Sequence, residues 1–268
     1  MMDLTFIIPT RIETEDRLRN IISSVSYLLK HIPAKVIVKE VSNQETFKFR
    51  AIPEIKKYAS IDNLTHIFEK SDEPWFCKSK VLNDLIVAAD TKIVANYDAD
   101  CILPITSYHK AYTAINDDKA DVVYPYGCGV YQWKADYDMD MYNLFTHKMS
   151  TDVLDCSKTL SNSTIGWTQF INRQKYIDSY MMNENFISWG CEDDEFYYRM
   201  SVLGNRIVRI DDYVYHLEHS RTNNSWFSNP NFSNNWDLWN TIKTFDRKQL
   251  VDYYEGQEYI KTRRKQLV

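Results

Sequence analysis

The stretch "KIVANYDADCILP", residues 92 to 104, decides the reading of the fold. Ile93 to Tyr97 read as a buried strand, and two aspartates follow with one residue between them. Strand side chains alternate with period two, so Asp98 and Asp100 share a face. A solvated turn tolerates such a pair. A hard divalent cation uses it, because Mg²⁺ and Mn²⁺ take carboxylate oxygens and neutralise phosphate charge.

Working outward from this strand, "LTFIIP" (4–9) is a short apolar run ended by Pro9, and Leu18, Ile21, Ile22, Val25, Leu28 and Leu29 then recur at helical spacing. "AKVIVKEV" (34–41) and "NLTHIF" (63–68) read as two more strands, and "SKVLNDLIVAA" (79–89) as a helix with Val81, Leu82, Leu85 and Ile86 on one face. Strands alternating with helices of this length predict an α/β chain with a Rossmann-like, mostly parallel central sheet flanked by helices. Ligands of such sheets bind beyond the carboxyl ends of the strands, where Pro9-Thr10-Arg11 and Asp98-Ala99-Asp100 both fall. No G-x-G-x-x-G or G-x-x-x-x-G-K follows any strand, and the chain has only 6 glycines, which argues against ordinary dinucleotide and P-loop sites. In the second half "DVVYPYG" (121–127), "WTQFIN" (167–172), "RIVRI" (206–210) and "YVYHL" (213–217) read as strands. "RQKYIDSYMM" (173–182), "CEDDEFYYRMSVLG" (191–204) and the tail with Trp236, Trp239, Ile242 and Phe245 read as helices. Residues 131 to 165 show no period and receive no assignment.

The 268 residues are 44% hydrophobic and 26% charged, as in a soluble protein with one main domain and a small annex. A net charge of -5 speaks against a nucleic-acid partner and leaves small molecules or sugars. The start, "MMDLTFIIPTRIETEDR", lacks a basic signal-peptide region, and no stretch approaches the ~20 apolar residues of a membrane span, so the expectation is cytoplasmic. Five cysteines without a C-x-x-C pair read as reduced structural thiols. The 19 Tyr and 7 Trp are numerous enough to supply sugar-stacking platforms as well as core.

Two further clusters carry chemistry. In "SWGCEDDEF" (188–196), helix capping explains one or two acids but not Glu192, Asp193, Asp194 and Glu195 in a row. Acceptor-only carboxylates beside the Trp189 ring and flexible Gly190 suit a polyhydroxylated ligand and a proton abstraction. In "YVYHLEHSR" (213–221), His216 and His219 share a side only if the chain turns after the strand, and could then add nitrogen ligands to a Mn²⁺ site.

The order "FIIPTR" (6–11), "WFCKSKVLNDLIVAADTKIVANYDAD" (75–100), "SWGCEDDEFYYRM" (188–200) and "YHLEHSR" (215–221) resembles inverting glycosyltransferases of the GT-A fold. The likeness is to those joining family 2 to the animal β-galactosyltransferases and the bacterial chondroitin polymerases. W-G-x-E-D-D is its most specific piece, and it spans residues 4 to 221. The resemblance implies that Asp100 ligates Mn²⁺ (or Mg²⁺) beneath the diphosphate of a UDP-sugar and that Asp98 meets its ribose or sugar side. It also implies a nucleotide loop at Pro9, Thr10 and Arg11, and a uracil and ribose border at Phe76, Lys78 and Lys80. On the acceptor side it implies Trp189 and Gly190 on a mobile loop over both sugars, Glu192 and Asp194 on acceptor hydroxyls, and Asp193 as catalytic base. His219 aligns with the metal histidine, while His216 stands where the galactosyltransferases have methionine and the polymerases histidine, so at least one of the two is an expected ligand. Ser188 and Cys191 replace glycines of the galactosyltransferases.

The reaction so implied moves a hexose or N-acetylhexosamine from UDP to a hydroxyl of a glycan or lipid-linked glycan, in bacterial surface polysaccharide synthesis. Residues 1–225 form the transferase domain in this reading, 1–104 binding nucleotide-sugar and 105–225 acceptor, with 226–268 a helical extension. The basic end "KTRRKQ" (261–266) is either a solvated helix end or a peripheral contact at the inner membrane face. A sugar nucleotidyltransferase would share the sheet and a metal aspartate, but needs a Gly-rich basic loop where "PTRIETEDR" stands. A non-catalytic glycan-binding protein would keep Trp189 but has no use for a metal site beside a nucleotide loop.

Overall fold

The computed structural model describes residues 1–160, 165–224 and 227–267. Residues Leu4–Thr10 are buried along their whole length and form β1, a central strand covered on both faces. Helix α1 (Glu15–His31) follows, with Glu15 and Asp16 in its first turn and Lys30 and His31 in its last, each sign matching the helix dipole. Then come β2 (Lys35–Ser42), the short α2 (Ile52–Ile55), β3 (Leu64–Lys70), α3 (Lys78–Ala88) and β4 (Ile93–Tyr97). The two-residue β5 (Cys101–Ile102), α4 (Ile105–Asn116), β6 (Val122–Tyr124), β7 (Gln132–Ala135), α5 (Met139–Lys148) and β8 (Lys158–Leu160) continue the chain. It closes with β9 (Thr168–Asn172), α6 (Arg173–Asp178), α7 (Glu192–Val202), β10 (Ile207–Arg209), β11 (Val214–Leu217), α8 (Phe232–Ile242), α9 (Arg247–Glu255) and α10 (Glu258–Gln266).

The main sheet has the order β10-β6-β9-β4-β1-β2-β3 and is parallel except at β9, which runs antiparallel to β4 and β6. Helices flank it, and the core lies between them, with Phe6, Tyr97, Tyr108 and Phe170 meeting edge to face or tilted. A second sheet of order β5-β11-β7-β8 begins directly after the aspartate pair. The segment that showed no period, 131 to 165, supplies part of this sheet and α5. Its strands are only four and three residues long, too short for alternation to be read, and Asp138 caps α5 by accepting from the Met141 amide at 2.9 Å.

The C-terminal helices pack onto this body. Tyr254 of α9 donates to Glu195 at 2.5 Å, and Arg263 of α10 pairs with Glu184 at 2.8 Å and with Asp84. Lys261 and Arg264 pair with Glu258 and Glu255, so much of the basic end is drawn into ion pairs within the chain. The expected boundary between residues 225 and 226 lies outside the described residues. Among the described residues no helix is long and apolar enough to cross a membrane. Cys77, Cys101, Cys128 and Cys191 are free thiols; the Cys156 side chain lies outside the described part.

Candidate functional site

The two sheets meet at the aspartate pair. β4 ends at Tyr97, and the Asp98 amide donates to the Trp167 carbonyl at 2.9 Å. β5 then pairs Cys101 with His216 of β11, and the Leu217 amide donates to the Asp100 carbonyl at 2.7 Å. Strand register therefore places His216 beside Asp100. β11 ends one residue later and the chain turns, which brings His219 to the same spot. Asp100 Oδ2 lies 3.0 Å from His219 Nε2 and 3.7 Å from His216 Nε2, and the three ligand atoms all lie within 4.8 Å of one another.

Both imidazoles are held in ligating orientation. Glu218 Oε1 sits 2.8 Å from His216 Nδ1, and the Ser220 carbonyl 2.9 Å from His219 Nδ1, leaving each Nε2 turned to Asp100. A carboxylate or carbonyl on the far nitrogen is the usual support of a metal-bound histidine. The Trp167 ring stacks on His216 at 5.4 Å. Burial alone would raise the Asp100 pKa, but His216 and His219 outweigh it and hold the carboxyl well below its ordinary range. One carboxylate and two imidazole nitrogens fit a divalent transition ion better than Mg²⁺, which takes oxygen ligands. Sequence reading expected at least one histidine here; the structure brings both.

Asp98 turns the other way, and the expectation that it shares a strand face with Asp100 fails because β4 ends at Tyr97 and both aspartates lie in the turn after it. Its carboxylate pairs with Lys78 Nζ at 2.8 Å, and the same ammonium lies 3.8 Å from Asp193. Burial is the main reason the Asp98 pKa is raised, against the pull of Lys78. Burial would lower Lys78, but Asp193, Asp98 and Glu192 raise it well above its ordinary value.

These groups line one cleft of about 330 Å³. Pro9, Thr10 and Arg11 enter it from the end of β1, Phe76 and Lys78 from the start of α3, and Trp189, Gly190, Glu192, Asp193 and Asp194 from the start of α7. Arg11 donates to the Val41 and Glu73 carbonyls at 2.9 Å, its guanidinium lies over the Phe76 ring, and its Nη2 is buried without a partner among the described residues. Lys80, expected with this group, does not line the cleft. It faces Glu69 and Asp84 at 3.6 and 3.7 Å, because two residues along a helix point to different sides.

The four acids of α7 separate. Glu195 is fully buried and holds Arg199 Nε at 2.7 Å. Glu192 folds back so that its Oε2 accepts from the Gly190 amide at 2.9 Å, and burial, then Asp193, push its carboxyl up to about 7. Asp194 is raised by burial and by Asp193. Asp193 lies against Gly166, where a Cβ would stand 1.9 Å from its Oδ2, so only glycine leaves room for this carboxylate in its present place.

Several contributors went unread in the sequence. Glu218, between the two histidines, had a visible signal in "HLEH"; Gly166, before Trp167, had only its scarcity as one of 6 glycines. Asn224 had none, although it accepts from the Phe76 amide at 2.9 Å and from Ser188 Oγ at 3.1 Å, tying the two sides of the cleft together.

A family model described as the N-terminal domain of galactosyltransferase matches residues 147–220, which include Trp189 through Asp194 and both histidines. No curated protein matches the chain. Among solved structures, GalNAc-T7 with UDP, GalNAc and Mn²⁺ superposes at a TM-score of 0.61 with 14% identity, over 96% of this chain and 51% of that one. S. aureus TarS superposes at 0.51 with 16% identity, over 81% of this chain and 37% of its own. The mannosyltransferase PcManGT from Pyrobaculum calidifontis, with GDP-Man and Mn²⁺, gives 0.50 and 16%, over 81% and 56%. This chain thus spans about half the length of the GalNAc-T7 chain. The fold is that of the GT-A glycosyltransferases, as the sequence resemblance implied.

Proposed function

We propose that this chain is a metal-dependent, inverting glycosyltransferase that moves a hexose or N-acetylhexosamine from a UDP-sugar to a glycan hydroxyl. The observation that carries the reading is the convergence of Asp100, His216 and His219, each histidine held from its far nitrogen, in the same cleft as Asp193. These three residues would hold Mn²⁺, with Mg²⁺ disfavoured by the two imidazoles. The ion would supply positive charge to the diphosphate leaving group.

The protein's own groups do the rest. Arg11 and Phe76 border the nucleotide, and Asp98 with Lys78 the ribose or sugar. Trp189 offers its ring to the sugars, and Asp194 and Glu192 accept from acceptor hydroxyls. Asp193 takes the proton of the attacking hydroxyl while that oxygen bonds to the anomeric carbon from the face opposite the departing UDP, which inverts the configuration. On this reading residues 1–104 form the donor side and 105–225 the acceptor side, with 226–268 a helical extension. The choice of UDP over GDP, a lipid-linked or free glycan acceptor, and a role in bacterial surface polysaccharide synthesis at the cytoplasmic face of the membrane rest on the sequence resemblance.

The test is UDP release from a panel of UDP-sugars in Mn²⁺, with and without glycan acceptors. Acceptor-stimulated release with an inverted product supports the proposal. Nucleotide-sugar formation from a sugar phosphate would point to a nucleotidyltransferase, and sugar binding without turnover to a glycan-binding protein.

A further inference from the structure

We infer that Asn235 and Asn229 are positioning residues that hold the loop of Ile187 to Gly190, and with it Trp189, in its working shape before any ligand arrives. The inference rests on the transferase reading for the purpose of the loop, though not for its construction.

The loop has an improbable backbone. Ser188 has φ 62°, Gly190 123° and Cys191 68°, all left-handed. A side-chain-bearing residue in that region is strained, so the shape persists only where neighbours impose it. Those neighbours are Asn229, Phe232 and Asn235, which lie beyond the stretch that resembles glycosyltransferases. Asn235 accepts from the Ile187 amide at 3.1 Å and donates to the Ile187 and Trp189 carbonyls at 2.9 and 3.2 Å. Asn229 donates to the same Trp189 carbonyl at 3.0 Å. Both asparagines are buried, 2% and 3% exposed, so losing their partners would leave amide groups unsatisfied away from water. Phe232 completes the seat. Its ring stacks on Trp189 at 5.6 Å, and it lies 2.8 Å from where a Cβ on Gly190 would be, so a larger residue at 190 would have to displace the ring or the loop.

The consequence concerns order of binding. A Trp189 wall set by the protein's own amides does not wait for nucleotide to form it. Donor and acceptor then meet a finished cleft, in contrast to the mobile loop that the sequence resemblance implied.

Amide exchange over residues 186–191, followed by mass spectrometry of the full chain with and without Mn²⁺ plus UDP, tests this. In the wild type, exchange should be slow from the start and should change by less than about twofold on adding Mn²⁺ and UDP. Asn235→Ala, which removes all three hydrogen bonds to the loop, should speed it by at least about tenfold. UDP with Mn²⁺ should then slow exchange again over 186–191 more than over segments away from the cleft, a local response that general destabilisation would not create. Asn229→Ala, which removes a single contact to the loop, should act in the same direction and less, and it decides the matter if Asn235→Ala does not fold. Wild-type exchange that is fast until Mn²⁺ and UDP are added, or folded variants that exchange like wild type, would overturn the inference. Failure of wild type to bind UDP in calorimetry would count against the transferase reading instead, and ligand-free exchange of the three proteins would still decide the clamp.

Discussion

On one wall of the cleft, Asp100, His216 and His219 are set by the pairing of Cys101 with His216 and by the Leu217 amide on the Asp100 carbonyl. On the other, Trp189 and Asp193 stand on a left-handed loop and a helix start, secured by side chains of Asn224, Asn229 and Asn235 and by the gap at Gly166. The first wall is placed mainly by main-chain hydrogen bonds, with the Glu218 side chain orienting His216. The second is fixed by particular side chains, each replaceable at a cost. A wall built from strand register tolerates drift around it, whereas a wall built from loops and amides changes with a few substitutions.

Removing the proposed proton acceptor should produce the largest effect, and it should be confined to the second wall. Asp193→Asn keeps shape but takes no proton, so kcat should fall by ~10² to 10⁴ while Mn²⁺-dependent UDP affinity stays within about twofold. Near-normal kcat would remove Asp193 from its role and leave the first wall standing. Next, Glu218→Gln strikes the first wall from behind. It weakens the hold on His216 Nδ1, and metal affinity should drop by about 10- to 100-fold in a Mn²⁺ titration, with the fold intact by circular dichroism. Unchanged affinity would show that His216 needs no support.

A third effect is a pH dependence peculiar to the second wall. Because burial and Asp193 raise Glu192 to about 7, its contribution to stability is full below its ordinary value of 4.5 and is lost as pH rises through 7. Glu192→Gln is neutral throughout and can still accept from the Gly190 amide. Its thermal midpoint should gain on wild type by on the order of 3 °C between about pH 5 and about pH 8, and parallel midpoints would mean that Glu192 titrates normally. Smallest of all, Lys80→Ala should leave UDP affinity within about twofold of wild type, as expected for an exposed residue paired outside the cleft; a tenfold loss would return Lys80 to the donor side.

The two walls also differ in how far the sequence exposed them. Asp98 and Asp100 were legible because a buried apolar run ends at them, and the residues of β1 and β4 because long apolar segments admit one reading. The two histidines were legible as candidates only, since a spacing of three shares a side only when the chain turns, and the end of β11 at Leu217 is a fact of folding. Glu195 looked like its three acidic neighbours; only the burial of Arg199 and Tyr254 beside it turns it inward. Asn229 and Asn235 carry no pattern at all, because an amide that bonds to a distant backbone depends on tertiary proximity and not on local spacing.

The most direct test of the central claim is calorimetry of UDP binding to the wild type and Asp100→Ala, each in Mn²⁺ and in chelator. If Asp100, His216 and His219 hold the ion that meets the diphosphate, wild type in Mn²⁺ should bind UDP at least about tenfold more tightly than the other three samples, which should be alike. Equal affinity in all four would contradict the metal site and, with it, the proposed reaction.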